Sequence, residues 1–301
     1  MLGRELTDRL LFAGPASEDF GKTLAKRLGL PLLSVTVKEF SDTETRFKVE
    51  EEVHGTSILL VQSTYPPVDR NYMQLFLAAH HLSQEGAKVH AVIPYLGYAR
   101  QDKQFMPGEV VSLGVISHLL RTCGVLRVTT VDIHSAVGLA LFAMPTYSVS
   151  AIPILAQYIK KNMNLSSPVV ISPDFGSSKR TEAFATIYGA EHLQFAKERD
   201  RVTGEVRIDA GEMNVKGRDV VIVDDMISTG ATIRAAAEKL RKAQASKIVV
   251  SCVHPLLVED AYEKLIEAGV DEIIGTNTVP SRVSKVDATE PLASYLRTVA
   301  E

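Results

Sequence analysis

The chain has 301 residues, of which 46% are hydrophobic and 23% are charged, and its net charge is −3. This length corresponds to about two domains with a sizeable core, and the weakly acidic balance argues against a nucleic-acid-binding protein. Apolar runs fall short of the roughly 18–20 residues that cross a bilayer, and we expect no secretory signal. The cysteines Cys123 and Cys252 lie far apart in sequence. They argue against a disulfide scaffold or cysteine-based zinc site, so we expect a cytoplasmic protein without membrane partners.

Short apolar runs alternate with amphipathic helical patterns along the chain. Helices are predicted at 17–29 and 71–86. Val- and Ile-rich runs separated by such helices indicate mainly parallel sheets that are covered on both faces. The predicted strands lie at 9–14, 57–63, 88–95, 127–134, 168–174, 219–225, 247–255 and 270–277.

The order of elements recurs about half a chain later. Residues 58–94 and 220–255 both follow the order strand, loop, helix, strand and close on a proline. We therefore predict two domains of one topology, 1–145 and 146–301, with the last residues packing back on the first domain. The alternative is the weak resemblance between its own segments that any α/β chain shows by chance. The sequence QSTYPP replaces the acidic loop in the first copy, which predicts one active site per chain.

Residues 219–232 read DVVIVDDMISTGAT, a buried run that ends in two carboxylates. Asp224 and Asp225 are costly to desolvate side by side, so a cation or hydroxyl groups should satisfy them. Carboxylates suit sugar hydroxyls, directly or through Mg²⁺, whereas small residues at a helix N-terminus favour a phosphate. The stretch therefore predicts a sugar-phosphate site; an ordinary N-capped helix is the alternative, and it leaves the acids unexplained. The loop residues of this site are Ser228, Thr229, Gly230, Ala231 and Thr232.

Two polar segments of the first half are candidates for nucleotide binding. In YARQDK (98–103), Arg100 offers a planar fork for phosphate oxygens, and a solvated polar loop is the alternative. In FSDTE (40–44), Phe40 could stack on a purine while Asp42 and Glu44 accept hydrogen bonds from it. A β-hairpin tip with scattered acids would look similar.

One further residue and one further segment can each be interpreted in two ways, as ordinary structure or as part of a functional site. His134 follows a buried run, where a lone histidine is more often structural than a ligand. Residues 195–206, FAKERDRVTGEV, place Lys197 and Arg199 beside a predicted hairpin turn, and such a run is usually a solvated surface ribbon.

Taken together, these segments resemble a known family. VVIVDDMISTGATI is similar to the phosphoribosyl-diphosphate motif of the type I phosphoribosyltransferase fold. Segments 39–64, 92–103, 131–135 and 172–181 resemble ribose-phosphate pyrophosphokinase, in the same order and over nearly the whole chain. The resemblance implies an α/β protein of two tandem type I phosphoribosyltransferase-like domains, each a mainly parallel sheet flanked by helices. It also implies transfer of the diphosphoryl group of Mg-ATP to the 1-hydroxyl of ribose 5-phosphate, giving 5-phosphoribosyl 1-diphosphate and AMP for nucleotide biosynthesis.

The resemblance further implies a role for each candidate residue. Lys197 and Arg199 are the catalytic cations of a flexible loop, and His134 and Asp174 bind Mg²⁺. Asp224 and Asp225 hold the ribose hydroxyls, and residues 228–232 hold the 5-phosphate. The family's hairpin reaches ATP of a neighbouring subunit, which implies a homo-oligomer, a dimer or larger. The residues implied to bind ATP are Phe40, Asp42, Thr43, Glu44, Arg100, Gln101, Asp102 and His134.

The chain also departs from the family pattern. Ser228 stands where many members carry aspartate, and residues 104–115 differ from the lysine-rich segment of members that phosphate regulates. We expect the chemistry to be retained, with a pattern closer to the archaeal branch. Two alternatives stay open: a phosphoribosyltransferase, which would not need FSDTE and YARQDK, and a non-catalytic regulatory homologue, which would not need the catalytic cations or the acidic pair.

Overall fold

A computed structural model of the chain describes residues 9–173, 178–194, 196–199, 206–209 and 214–299. The chain divides into two compact units. The first unit holds the chain up to Ser150 together with the segment from Ala288, and the second unit holds Ala151–Asp287. The first unit thus runs past residue 145, where the boundary was expected, because the short strand Thr146–Val149 pairs with the first sheet.

The first unit is built on a five-stranded parallel sheet. Its strands follow the order β1-β4-β5-β6-β7, and β2 and β3 form a separate antiparallel hairpin. Short 3₁₀ helices at Pro15–Ser17 and Val137–Leu141 join some of these elements. The elements are β1 (Arg9–Ala13), α1 (Glu18–Leu28), β2 (Val35–Glu39), β3 (Thr45–Val49), β4 (Ser57–Val61), α2 (Val68–Gln84), β5 (Lys88–Ile93), α3 (Ser112–Thr122), β6 (Val125–Val131), β7 (Thr146–Val149) and, after the second unit, α8 (Thr289–Thr298).

The sheet of the first unit is covered by helices because its strands are apolar on both faces. Every residue of β4 is buried, as expected for a central parallel strand. Leu75 and Leu82 of α2 and Leu113 and Leu120 of α3 are fully buried in the same core as Ile58. Each such side chain stabilises the fold by roughly 1.5–3 kcal/mol through removal from water.

The second unit is built on a six-stranded parallel sheet. Its strands follow the order β15-β14-β13-β12-β8-β9, and β10 and β11 form a separate antiparallel hairpin. The elements are α4 (Ile152–Asn162), β8 (Val169–Ser172), α5 (Ser178–Tyr188), β9 (Glu191–Gln194), β10 (Ala196–Arg199), β11 (Val206–Asp209), β12 (Val220–Ile227), α6 (Ala231–Lys242), β13 (Ile248–Pro255), α7 (Ala261–Glu267), β14 (Glu272–Thr276) and β15 (Ser284–Val286).

The two units share one topology. Strands β1, β4, β5, β6 and β7 are neighbours in the same order as β8, β12, β13, β14 and β15. A parallel bridge between Leu11 and Leu32 stands where β9 pairs with β8. In both units an antiparallel hairpin precedes the second strand of this order. The predicted α/β fold, with like domains and mainly parallel sheets, is confirmed.

Helix α8 packs within the first unit, against α1. The Nε of Arg27 donates a hydrogen bond to the Oγ1 of Thr289 at 2.9 Å. The guanidinium of Arg297 donates to the backbone oxygen of Arg27, and the rings of Tyr147 and Tyr295 lie 5.7 Å apart. Across the described ranges, every helix is too short or too polar to cross a membrane.

His90 lies on β5 in a positively charged environment. Its Nε2 is 2.8 Å from the Oγ1 of Thr129. Burial, followed by the charges of Arg127 and Arg9, lowers the pKa of His90 to about 3. The folded protein therefore holds this imidazole neutral at a pH where an unfolded chain already protonates it.

This pKa shift predicts a pH-dependent stability that His90→Gln removes. Neutral His90 contributes fully to the free energy of unfolding above pH about 6.5, the pKa of histidine in the unfolded chain. This contribution is lost as the pH falls toward the pKa of His90 in the folded protein. Between pH 7.5 and 5.5, wild type should lose about 1 kcal/mol more stability than the variant in urea denaturation. His80→Gln, at an exposed position of α2, is the control and should follow wild type. Equal losses in all three proteins would contradict the assignment.

Candidate active site

The predicted acidic pair lies within β12. Asp224 and Asp225 are only 9% and 3% exposed. Pairing with β13 continues past them, since Asp224 faces Cys252 and Met226 faces His254 across the ladder. The strand predicted at 219–225 therefore continues to Ile227, two residues past its predicted end, and it contains both carboxylates.

The acidic pair has the cationic partner that its burial demands. The Nη2 of Arg180, from the first turn of α5, lies 3.7 Å from the Oδ2 of Asp225. The backbone N–H of Asp225 donates a hydrogen bond to the Oδ1 of Asp224 at 2.9 Å. Both acids make further contacts in the protein. Neighbouring residues of a strand face opposite sides of the sheet, and this hydrogen bond shows that the Asp224 carboxylate turns back toward the next residue.

The negative charges of the two acids affect the pKa of the neighbouring Cys252. It is fully buried on β13 beside Asp224. Burial raises the pKa of its thiol well above the ordinary value, and the negative charges of Asp224 and Asp225 raise it further. The thiol therefore stays neutral and adds no third negative charge to this part of the sheet.

The loop after β12 leaves the start of α6 open. Helix α6 has Gly230 as its N-cap residue, and no side chain caps its first N–H groups by a hydrogen bond. Gly230 has φ 71°, and a Cβ at this position would come within 3.2 Å of Leu265, so glycine suits this turn. Ser228 is partly exposed, and Thr229, Ala231 and Thr232 are exposed. The alternative of a serine or threonine N-cap is thus wrong, and the N–H groups remain available to an anion.

Backbone hydrogen bonds hold this loop in place. The N–H of Leu257 donates to the oxygen of Ile227 at 2.8 Å, and the N–H of Val258 donates to the oxygen of Ser228 at 3.2 Å. The segment after β13 therefore supports the loop from one side. Carboxylates, hydroxyls and helix N–H groups follow one another within nine residues of β12 and α6, an arrangement that suits a sugar carrying a phosphate.

The equivalent loop of the first unit is closed by its own side chains. Gln62, Ser63 and Thr64 are at most 1% exposed. The amide oxygen of Gln62 accepts the N–H of Ala16 at 3.1 Å. Ser63 accepts the N–H of Tyr95 at 3.0 Å, and the hydroxyl of Thr64 donates to the Tyr95 oxygen at 2.9 Å. Backbone groups thus satisfy these polar side chains, so the first copy offers no comparable sugar-phosphate site here.

The FSDTE segment is the tip of the β2–β3 hairpin. The N–H of Phe40 donates to the oxygen of Glu44 at 2.9 Å, and the N–H of Glu44 donates to the Oδ1 of Asp42 at 3.2 Å. Thr43 takes φ 73° to complete the turn. The Phe40 ring is 38% exposed, and the Nζ of Lys38 lies 5.0 Å from its centre. The hairpin therefore presents an accessible aromatic ring beside acids.

The other ATP candidates follow β5 and β6, which are neighbours in the first sheet. Arg100 is exposed, and Gln101 and Asp102 are partly exposed. The N–H of Leu113 donates to the oxygen of Gln101 at 3.3 Å, which ties this turn to α3. A Cβ at Gly138 would lie 3.6 Å from the Cβ of Asp102, so the segment after β6 runs beside the YARQDK turn.

His134 is exposed directly after β6. The preceding residues are firmly held: the N–H of Ile133 donates to the Oγ of Ser148 at 2.9 Å, and the Oγ of Ser150 donates to the Oδ1 of Asp132 at 2.9 Å. Asp132 takes φ 33°, a conformation that costs a residue other than glycine some energy. The imidazole of His134 is therefore exposed, next to residues that hydrogen bonds hold in place.

Some sequence candidates are only partly described. Asp174 lies outside the described residues. Lys197 and Arg199 belong to β10, where they pair with Ile208 and Val206 of β11. The sequence analysis included Arg180 only within the segment 172–181 and missed its contact with Asp225. An arginine near the start of a helix is a weak signal by itself, and only the packing of α5 on β12 identifies its partner.

The chain matches two family models. The N-terminal domain of ribose phosphate pyrophosphokinase matches residues 9–124, and the phosphoribosyl synthetase-associated domain matches residues 209–293. The first match covers the FSDTE and YARQDK segments, and the second covers the acidic pair and its loop.

Whole-length relatives agree with these matches. The chain is 35% identical to the ribose-phosphate pyrophosphokinase of Sulfurisphaera tokodaii over 96% of this chain and 100% of the relative. It is 39% identical to that of Methanothermobacter thermautotrophicus over 94% and 98%. The crystal structure of phosphoribosylpyrophosphate synthetase from Mycobacterium smegmatis superposes with a TM-score of 0.86 at 28% identity, over 96% of this chain and 98% of that one. On this evidence, the chain belongs to the ribose-phosphate pyrophosphokinase family.

Proposed function

We propose that the chain is a ribose-phosphate diphosphokinase, which transfers the diphosphoryl group of ATP to the 1-hydroxyl of ribose 5-phosphate. The products are 5-phosphoribosyl 1-diphosphate and AMP, for nucleotide biosynthesis. The observation that carries this proposal is similarity to ribose-phosphate pyrophosphokinases along nearly the whole chain, through both units. A phosphoribosyltransferase and a non-catalytic homologue are not favoured.

The proposed ribose 5-phosphate site lies in the second unit. Asp224 and Asp225 accept hydrogen bonds from the ribose hydroxyls, and residues 228–232 hold the 5-phosphate. The open N-terminus of α6 supports the phosphate assignment. The contact of Arg180 with Asp225 supports the sugar assignment, because it allows a buried carboxylate to stay charged and accept hydrogen bonds.

The proposed ATP residues lie in the first unit. Phe40 stacks on the adenine, with Asp42, Thr43 and Glu44 around it, and Arg100, Gln101 and Asp102 bind the remainder of the nucleotide with His134. The exposure of Phe40 and Arg100 supports their availability to a ligand. The Phe40 hairpin serves ATP of a neighbouring subunit, so the working form is a homo-oligomer.

Mg²⁺ is proposed as the metal of this reaction. Polyphosphate-bound Mg²⁺ takes most of its ligands from phosphate and water and only one or two from protein. The exposed imidazole of His134 after β6 is compatible with such a contact, and Asp174 is the second proposed ligand. When bound, Mg²⁺ would supply positive charge that offsets the charge of the polyphosphate oxygens.

The chain's own residues then position the reactants for an in-line displacement. The 1-oxygen of the sugar forms a bond to the β-phosphorus, and its hydroxyl proton is released to solvent. The bond from that phosphorus to the oxygen of the α-phosphate breaks, so AMP leaves. Lys197, Arg199 and Arg100 offset the charge on the transferred group. Positioning and charge stabilisation carry such phosphoryl transfers, with little covalent participation by protein groups.

A product analysis tests the proposed reaction. Purified protein with ATP, Mg²⁺ and ribose 5-phosphate should form AMP and phosphoribosyl diphosphate in equal amounts, and no AMP without the sugar. ADP as the product would mean transfer of a single phosphoryl group and would refute the mechanism. Absence of turnover, together with release of diphosphate from phosphoribosyl diphosphate and a base, would identify a phosphoribosyltransferase instead.

Lys197→Ala tests the catalytic role of the β10–β11 hairpin. Loss of this cation should lower kcat by roughly 10³-fold, as for cationic fingers in other phosphoryl transfers, without lowering the thermal unfolding midpoint. Glu198→Ala, at the adjacent position of β10, is the matched control and should keep most of the activity. Near-normal turnover of Lys197→Ala would mean that the hairpin is a solvated surface ribbon.

Arg180→Gln tests the sugar site. Without this cation the acidic pair is less well compensated, so we expect the KM for ribose 5-phosphate to rise about tenfold, a loss of about 1.4 kcal/mol in binding. The KM for ATP should change much less, and Arg180→Lys should recover part of the loss. A rise confined to the KM for ATP would remove Arg180 from the sugar site.

A further inference from the structure

A cavity lies in the first unit, at the amino ends of its parallel strands. Its volume is about 210 Å³. Ser57 opens β4, Lys88 opens β5, Arg127 lies near the start of β6, and Pro145 precedes β7; all four line this cavity. In a parallel sheet these ends share one edge. Arg100 and His134 follow the opposite ends of β5 and β6, so none of the proposed ATP residues after these strands takes part in the cavity.

The polar wall of this cavity is cationic. Lys88, His90 and Arg127 line it, and no carboxylate lines it among the residues that the structure describes. Arg127 and Arg9 make other contacts in the protein, whereas exposed Lys88 has no ion pair within the described residues. Arg127 and Arg9 create a positive field at the partly buried His90 imidazole, where they help to lower its pKa. The same field that repels a proton from His90 attracts an anion.

The remaining wall is apolar. Val89, Leu126 and Pro145 supply it, and Leu126 is 50% exposed at the rim. An apolar cavity of about 150 Å³ in another protein binds benzene, so this volume accommodates a ring with one substituent. A bare inorganic anion would leave the apolar wall without a partner.

We propose that this cavity binds a small organic anion, a planar ring or short hydrocarbon that carries one carboxylate. The carboxylate contacts Lys88 and Arg127, and the hydrocarbon packs on Val89, Leu126 and Pro145. The site is separate from the proposed diphosphoryl transfer and does not depend on it. A carboxylate matches the cations in charge, and a hydrocarbon body matches the three apolar side chains, so both halves are needed for binding.

Fluorine NMR with 4-fluorobenzoate tests the site directly, because line broadening reports binding without any assay of activity. Wild type should bind this probe saturably, and 4-fluorobenzyl alcohol, which lacks the charge, should bind at least tenfold more weakly. Lys88→Gln should weaken binding of 4-fluorobenzoate about tenfold. Leu126→Asp removes apolar wall and adds a like charge at an exposed position, so it should abolish binding.

Two controls distinguish this site from the proposed active site. Lys22→Gln alters an exposed lysine of α1 that pairs with Glu18, and it should bind the probe as wild type does. Saturating ATP and ribose 5-phosphate should not displace the probe. Three results would each overturn the proposal. They are displacement of the probe by either substrate, no binding of the probe to wild type at probe concentrations up to tenfold above about 1 mM, and unchanged binding of the probe in both cavity variants.

Discussion

The second unit is organised around two adjacent carboxylates on its buried central strand, and their burial requires compensating contacts. Removing an ionised carboxylate from water costs several kcal/mol unless cations or hydrogen-bond donors compensate it. Arg180 lies 3.7 Å from Asp225, and the backbone N–H of Asp225 serves Asp224. Cys252 keeps its proton beside them. These contacts let β12 carry acceptor groups to the point where the loop and α6 begin.

The first unit shows the equivalent loop in a copy that lacks the two carboxylates. In the first unit, β4 occupies the place of β12 and is followed by Gln62, Ser63 and Thr64. Their side chains bond to neighbouring backbone groups and are buried. A satisfied polar loop of this kind is stable but offers few groups to a ligand. The second copy leaves its hydroxyls and helix N–H groups accessible, and it is the copy to which we assign the sugar.

The two hairpins diverge in a similar way. Each precedes the second strand of its unit's order and stands apart from the main sheet. The first presents Phe40 with Asp42 and Glu44, and the second contains Lys197 and Arg199. An aromatic ring with acceptors suits a base, whereas two cations suit polyphosphate. The hairpins β2–β3 and β10–β11 thus occupy equivalent positions in the two units but carry side chains of different chemistry.

The sequence predicts the central strands of both sheets, because Val- and Ile-rich runs identify strands that are buried on both faces. It missed the edge strands β7, β9 and β15, which are short and lack such a run. It also singled out Asp224 and Asp225, since two charges in an apolar run require an explanation. Three features are visible only in the folded chain: α5 brings Arg180 to Asp225, Gly230 leaves α6 without a side-chain cap, and the polar loop after β4 is buried. These contacts join residues distant in sequence, and hydrophobic periodicity carries no information about them.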